Sequence, residues 1–583
     1  MARYRWILFT MLLVSATAVA ADDPGAGMAP AASDDPGAGM APAASADELP
    51  WLEPSDAGTT AAPDGGWDAG SAMGPAYGTA ADAEREMLDL TLSQAMAMAI
   101  ENNLGVQVAR HDPLIAWERT RVAWGTYDPT AFTEIVRATV EVPSANALTG
   151  ARLEEEHWNN AGGLRGLVPV LSTEYEIRFS ADRTKTSSAV SSLREFWESG
   201  LSFSVSQPLL RNLYWNEPWT EVKLSGEAYG QALEDFRLAL MDVVQGVENA
   251  YWAVVATGDQ ERVAIKSLEA SRELLEQTKV QYEVGVVSKV EVVEAEAGVA
   301  EREVELIRAR NFYRTAQDVL IDRVMGTHLT AGSGLEVNPV DRPGDYATYT
   351  VDVEEAARKA MERRPELASL DQAIKQQEIV LTFNRNQMAP QVDVVASYGY
   401  RGLSGKDCNA SAGSPFCQSG PSGLHSNFSS SIEDYFDHDG AVNWSLGGVL
   451  SIPLGNHAPR ASKRRAEIEL RKIRTQRTQL VQSIVLDIRS AARNLRSAQE
   501  GIEAAERRRL AAEEQFRAEG IRLEQGESTP FDVLQRERDL VAAEGQKINA
   551  FQLYRDAVAS LERSQGTILE RHNIVVDQAR ELR

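Results

Sequence analysis

Two stretches of this chain, from about Pro218 to Val284 and from about Pro459 to Leu523, contain no proline after their first residues and carry apolar residues at helical spacing. Each predicts one helix of roughly 100 Å at 1.5 Å per residue, several times the width of a small domain. In the first, Leu233, Phe236, Leu240, Val243, Val247, Ala250 and Val254 alternate by steps of three and four. In the second, Ile488, Ala491, Leu495, Ala498, Ile502, Ala505, Ala512 and Phe516 follow a heptad frame. These are coiled-coil seams, with a four-residue stutter between Leu480 and Ile488.

Both helices are broken in the same way, 241 positions apart, by GVVSKVEV at 285 and GESTPFDV at 526. Gly526 suits the left-handed backbone that ends a helix, Thr529 the N-cap of the next, and Pro530 its first position. Asp532 then falls where a carboxylate meets unsatisfied N–H groups. Gly285 and Ser288 repeat the pattern, with Glu291 expected to complete a capping box. Two helical hairpin tips are predicted, with shorter helices returning over about 289–327 and 530–570.

The remaining length of the long helices needs a cover. TLSQAMAMAIENNLGVQVAR from Thr91 and DVEEAARKAMERRPELASL from Asp352 supply it, at an offset of 261 that continues to Pro129 and Pro390. The chain is therefore a duplication of short helix, strands, long helix, tip and short helix, over 88–327 and 352–572. A linker at 328–351 joins the halves, and 573–583 form a tail.

The strand segments alternate. In LSFSVSQ at 201, Leu201, Phe203 and Val205 face away from the serines; in VDVVASYGY at 392, Val392, Val394, Ala396, Tyr398 and Tyr400 oppose Asp393, Ser397 and Gly399. Trp444, Leu446, Leu450 and Ile452 alternate with Ser445, Gly447 and Ser451. A membrane barrel around a wet lumen has this pattern, and so does a half-buried soluble sheet. Two spanning strands per half cannot close a barrel, so several chains would share one. A further strand-like segment, TEYEIRFSA at 173, leaves an odd number before Pro208, as an extracellular hairpin or an inserted element.

Location is read from the ends of the chain. Arg3 and Arg5, an apolar run and Ala18-Val19-Ala20 predict a signal peptide over 1–20, with no cysteine after it to carry a lipid. Residues 21–87 repeat DDPGAGMAPAAS in tandem and are too poor in apolar surface to order themselves. No later apolar run is long enough for a membrane helix. Cys408 and Cys417, nine positions apart in a Gly/Ser-rich segment, suit a loop disulfide in an oxidising compartment. The net charge of -26 argues against nucleic acid as a partner.

With QPLLRN at Gln207 and IPLGN at Ile452 leading from strand to long helix, the order of elements resembles the TolC-like outer membrane factor family over about 88–572. The resemblance implies a mainly α fold with membrane β: duplicated coiled-coil hairpins, and strands contributing to a shared trimeric 12-stranded outer membrane β-barrel. It implies a homotrimer in the outer membrane of a Gram-negative-type bacterium, in contact with outer membrane lipid, with a helical tunnel in the periplasm. The tips would dock a periplasmic adaptor (membrane fusion protein) serving an inner-membrane pump of RND or ABC type, for efflux or type I secretion. Docking would fall on Gly285, Ser288, Glu291, Gly526, Thr529 and Pro530, and a pore constriction on Asp532 and Gln535. Relatives carry a second acid one turn on, where this chain has Gln535, so an acidic ring would be weaker; Asp532 also has the simpler role of capping its helix. Pro129, Pro208, Pro390 and Pro453 would mark strand-to-helix junctions.

No enzyme is expected and no cofactor. The seven histidines form no helical metal pair, and no nucleophile motif is present. Glu433, Asp434, Asp437, His438 and Asp439 lack the alternation of a calcium loop and read as a solvated outer loop. A periplasmic coiled-coil adaptor would show one hairpin between small β-domains, and a structural scaffold would have no use for alternating strands.

Overall fold

The computed structural model describes residues 87–143, 152–187, 191, 193–326, 334–342, 349–407, 428–433 and 441–574. The signal peptide, the leader up to residue 86 and the pair Cys408 and Cys417 lie outside the described residues, as does 434–440 with its acidic cluster. The unit spanning Glu84–Arg583 is built as two copies of one plan.

In the first half, β1 (Met87–Leu90) leads into α1 (Leu92–Asn102) and α2 (Leu104–Gly125). Strands β2 (Thr130–Pro143), β3 (Arg152–Leu167), β4 (Glu174–Thr186) and β5 (Leu193–Pro208) follow, then α3 (Glu217–Glu283) and α4 (Lys289–Met325). The second half comprises β6 (Glu336–Pro339), α5 (Val353–Arg363), α6 (Pro365–Asn386), β7 (Gln391–Asp407), α7 (Phe428–Glu433), β8 (Ala441–Ser451), α8 (His457–Glu524), α9 (Pro530–Gln565) and α10 (Ile568–Arg571). The long helices fall within a few residues of their expected bounds. The expected linker contains β6, which pairs in parallel with β1; Met87, expected in the leader, belongs to that pair.

The short helices share their caps at the 261 offset. Thr91 forms a capping box with Gln94, and Asp352 accepts from the N–H groups of Glu354 and Glu355. They cover the parts of the long helices that the returning helices do not reach: α2 and α6 pack along α3, and α6 also along α8. The largest core lies where β1 and β6 meet α3. There Leu90, Met96, Tyr251, Leu320, Val337 and Ile568 are buried together. Burying each side chain of that size contributes about 1.5–3 kcal/mol. The stutter is visible as the four-residue step between Ile484 and Ile488, both fully buried.

The other six strands form one antiparallel sheet in the order β2-β3-β4-β5-β7-β8. Three strand-like segments were expected before Pro208, and there are four. The segment at 173 is β4, and its missing partner is β3, so parity is restored by an inserted hairpin. Each chain thus brings six strands, where twelve shared by three copies require four.

Candidate functional site

The tips close with the same hydrogen bonds. Gly285 (φ +79°) and Gly526 (φ +75°) occupy the left-handed region. The N–H of Val286 donates to the Gln281 carbonyl at 2.8 Å and that of Gly285 to Tyr282 at 3.0 Å, while Glu527 and Gly526 bond to Arg522 and Leu523 at 2.9 Å each. Both pairs are Schellman closures, which occupy the last carbonyls of a helix.

The caps that follow differ. Thr529 Oγ1 accepts the Asp532 N–H at 3.3 Å and donates to Asp532 Oδ2 at 2.7 Å, with Pro530 at the first helical position. Ser288 stands at the N-cap of α4, but its hydroxyl donates to the Glu291 carboxylate at 3.2 Å and accepts no backbone N–H. The capping box expected from Ser288 and Glu291 is therefore not formed. Both hydroxyls donate to the acid three residues on, and only that of Thr529 also accepts the backbone N–H. Asp532 and Gln535 are both exposed on α9, one turn apart. Around the first tip Val280, Val284, Val286, Val290 and Val293 are all more than half exposed.

Above the tips the hairpins are joined by buried charge that the sequence reading missed. Glu537 on α9 accepts from Ser267 Oγ at 2.7 Å and Ser271 Oγ at 3.1 Å on α3, and lies 4.0 Å from the Arg302 guanidinium on α4. Arg302 also meets Glu305 at 2.6 Å. Charged residues on long helices read as solvated, so nothing in the pattern singled these out.

A second polar cluster lies beside the main core. Asp556 on α9 is pushed up to about 6, first by burial and then by the Glu248 carboxylate. Its Oδ1 has no hydrogen-bond partner. Arg571 neutralises part of this charge, 3.7 Å from Glu248 and 2.7 Å from Glu562, and His572 lies 3.3 Å from Glu248.

At the other end of the long helices the four prolines sort into two kinds. Pro208 ends β5 and Pro453 follows β8, so these are strand-to-helix junctions. Pro129 and Pro390 precede β2 and β7, and they join helix to strand, correcting the expectation of one kind. The two halves are stitched here through QPLLRN: Arg211 Nε donates to Gln387 Oε1 at 2.8 Å, and the Asn212 N–H to Asn386 Oδ1 at 2.8 Å. Asn216 caps α3 through the Trp219 N–H at 2.6 Å. Trp124 contacts Tyr127 and Trp219, and Lys223 lies 3.8 Å from the Trp215 ring centre. Together they make an aromatic cluster where sheet becomes helix, packed on the small core of Ala123, Tyr127 and Val222.

The register fixes two faces of the sheet. One carries Ile177, Leu201, Phe203, Tyr398, Trp444 and Leu446, all exposed in the single chain; the other carries Glu134, Arg178, Ser180, Ser202, Ser397 and Ser445. α7 covers part of the apolar face, with Phe428 edge-on to Phe179 and the Ser199 hydroxyl donating to the Ser431 carbonyl at 2.7 Å. Among the described residues no helix is long and apolar enough to cross a membrane, and no cluster of three or more metal-ligating side chains occurs.

The family model described as outer membrane efflux protein matches residues 176–324 and 356–567. Among solved structures, the outer-membrane channel OprN aligns with a TM-score of 0.58 at 16% identity, over 82% of this chain and 90% of that one. The Campylobacter jejuni CmeC outer membrane channel aligns with a TM-score of 0.59 at 12% identity, over 82% and 85%. The Neisseria gonorrhoeae MtrE outer membrane channel gives 0.55 at 16%, over 82% and 89%. These identities carry the fold. A search of curated proteins finds no match.

Proposed function

Because this chain belongs to the outer membrane efflux protein family, and is thus an outer membrane channel protein and not an enzyme, we propose that three copies form a continuous export duct. The sheet holds the outer membrane, the helices line a periplasmic tunnel, and the tips receive a periplasmic adaptor and its inner-membrane pump, of RND or ABC type. One observation carries this reading: a two-faced sheet and a pair of equivalent tips lie at opposite ends of the same long helices. With 67 residues in α3, they are separated by about 100 Å. The exposed valines of the first tip offer an apolar surface of the kind that marks interaction sites. Asp532 and Gln535 would narrow the duct, with Asp532 serving both the cap and the pore.

The test is single-channel conductance of the purified protein in planar bilayers, wild type against Asp532→Ala, with the oligomeric mass recorded. A trimer passing small, cation-favouring currents that grow or lose selectivity in the variant is expected. A non-conducting monomer would remove the duct and favour a coiled-coil adaptor or scaffold.

A further inference from the structure

We infer that all six strands of each chain build the membrane wall, so that three copies close a barrel of eighteen strands. The inference rests on the trimeric reading above and departs from the twelve strands that the resemblance implies.

Position in the sheet is the first argument. The inserted β3–β4 hairpin lies between β2 and β5, and β2 reaches the rest of the sheet only through it. Pairing is continuous from end to end: Thr130 faces Arg165 and Pro143 faces Arg152, Leu167 faces Glu174 and Glu155 faces Thr186, Glu174 faces Ser206 and Lys185 faces Glu195. A hairpin looped out above the membrane would not match both neighbours along its whole length.

Its bend is the second. Residues 168–173, between β3 and β4, lie at the end of the sheet where β5 passes into α3. They are fastened there: Ser172 Oγ donates to the Asn212 carbonyl at 2.7 Å and accepts from Asn216 Nδ2, and Gln207 Nε2 donates to the Leu171 carbonyl at 3.0 Å. Val170 (φ +68°) and Ser172 (φ +56°) hold left-handed conformations, which are unfavourable for their side chains. The hairpin therefore runs the full height of the sheet and turns at its helical rim.

The third argument is chemical. On β4, Ile177 and Phe179 continue the apolar face, and Glu176, Arg178 and Ser180 the polar one. Arg178 reaches over Gly163 of β3, which has no side chain to obstruct it, and meets Glu134 of β2 at 3.2 Å. On the opposite face Asn160 satisfies its amide on the Ala181 carbonyl at 3.3 Å. β4 thus obeys the two-sided rule of a membrane wall, and β3 joins it on the apolar face through Trp158 and Leu164.

The outer edges of the sheet, β2 and β8, are left without partners among the described residues. Six is an even number, so β2 and β8 run in opposite directions, and β8 of one copy can pair antiparallel with β2 of the next. Such exposed edges are templates for pairing, and ring closure removes them. With strands about 4.8 Å apart and tilted about 40°, eighteen give a backbone diameter of about 36 Å, against about 24 Å for twelve.

Electron cryo-microscopy of the full-length protein in lipid nanodiscs tests this directly by counting strands in cross-section. Eighteen are expected. A trimer with twelve, β2 lying against β5, overturns the inference and leaves the export reading standing; a particle that is not a trimer overturns both. A second measurement uses Glu176→Cys and Ile177→Cys, each in a Cys408→Ser, Cys417→Ser background. A membrane-impermeant maleimide should label position 177 at least several-fold more slowly than position 176. Equal rates would place the hairpin outside the bilayer and refute the proposal.

Discussion

Replacing Glu537 by alanine tests what joins the two hairpins. The side chain is buried between α3, α4 and α9, and its loss strands two serine hydroxyls and removes one partner of Arg302. Breaking a buried charge pair costs about 3–5 kcal/mol, and a buried hydroxyl left unpaired costs about 1–3 kcal/mol. Arg302 keeps Glu305, so the lower figure, about 3 kcal/mol, applies. At about 1.4 kcal/mol per decade, amides of α9 that exchange through local separation from α3 should lose roughly two orders of magnitude of hydrogen-exchange protection. Glu537→Gln keeps an acceptor for one serine and should lose about one order, since hydrogen bonds to charged groups contribute about 1.5–3 kcal/mol. The readout is exchange followed by mass spectrometry over the first half of α9, with α6 as an internal control. If protection in Glu537→Ala stays within about twofold of wild type while the protein remains assembled, the cluster does not hold the hairpins together. The buried-charge argument would then fail.

Asp556→Asn should raise thermal stability at pH 8, because the wild-type acid, pushed up to about 6, is ionised there at a cost. A shift of about two units corresponds to about 3 kcal/mol. The advantage should shrink as pH falls through 6 and vanish only below the ordinary aspartate value of 3.8, where the wild-type group is neutral in both folded and unfolded states; a constant gap in Tm would refute the assignment. Thr529→Ala should destabilise the start of α9 by about 1 kcal/mol, since a backbone cap is lost. Ser288→Ala should change little, and limited proteolysis at the tips distinguishes them. Gly526→Ala should cost about 1 to about 2 kcal/mol at the second tip from backbone conformation alone. No atom lies within 4 Å of the added methyl to contribute a clash; unchanged protease resistance would contradict the left-handed closure.

The helical half of the fold was legible in the sequence because a heptad repeat over so many turns has few alternatives. The paired tips were legible because glycine and an N-cap residue at fixed spacing have a direct backbone meaning. β3 was not. RLEEEHWNNAGGLRGL offers Leu153, Trp158, Leu164 and Leu167 among charges and glycines, and the register puts only Trp158 and Leu164 of these on the apolar face, so no alternation shows. One trace existed: the offset between the halves falls from 261 at the short helices to 241 at the tips, which requires extra residues in the strand region of the first half. The difference between the two caps was also invisible, since Ser288 and Thr529 are equivalent until the geometry of Glu291 is known. Glu537 and Arg302 could not be separated from dozens of solvated charges without knowing which helix faces meet.

The alternating directions of β2 and β8 limit how such a wall can change in evolution. A single added strand would bring two edges of like direction together at each boundary between copies. An enlargement must therefore enter as a whole hairpin, and threefold symmetry repeats it in every copy, so the circumference is quantised in increments of six strands. The segment from Arg152 to Thr186, with both ends returning to the outer rim and its bend pinned at the inner one, has the form of a single such increment.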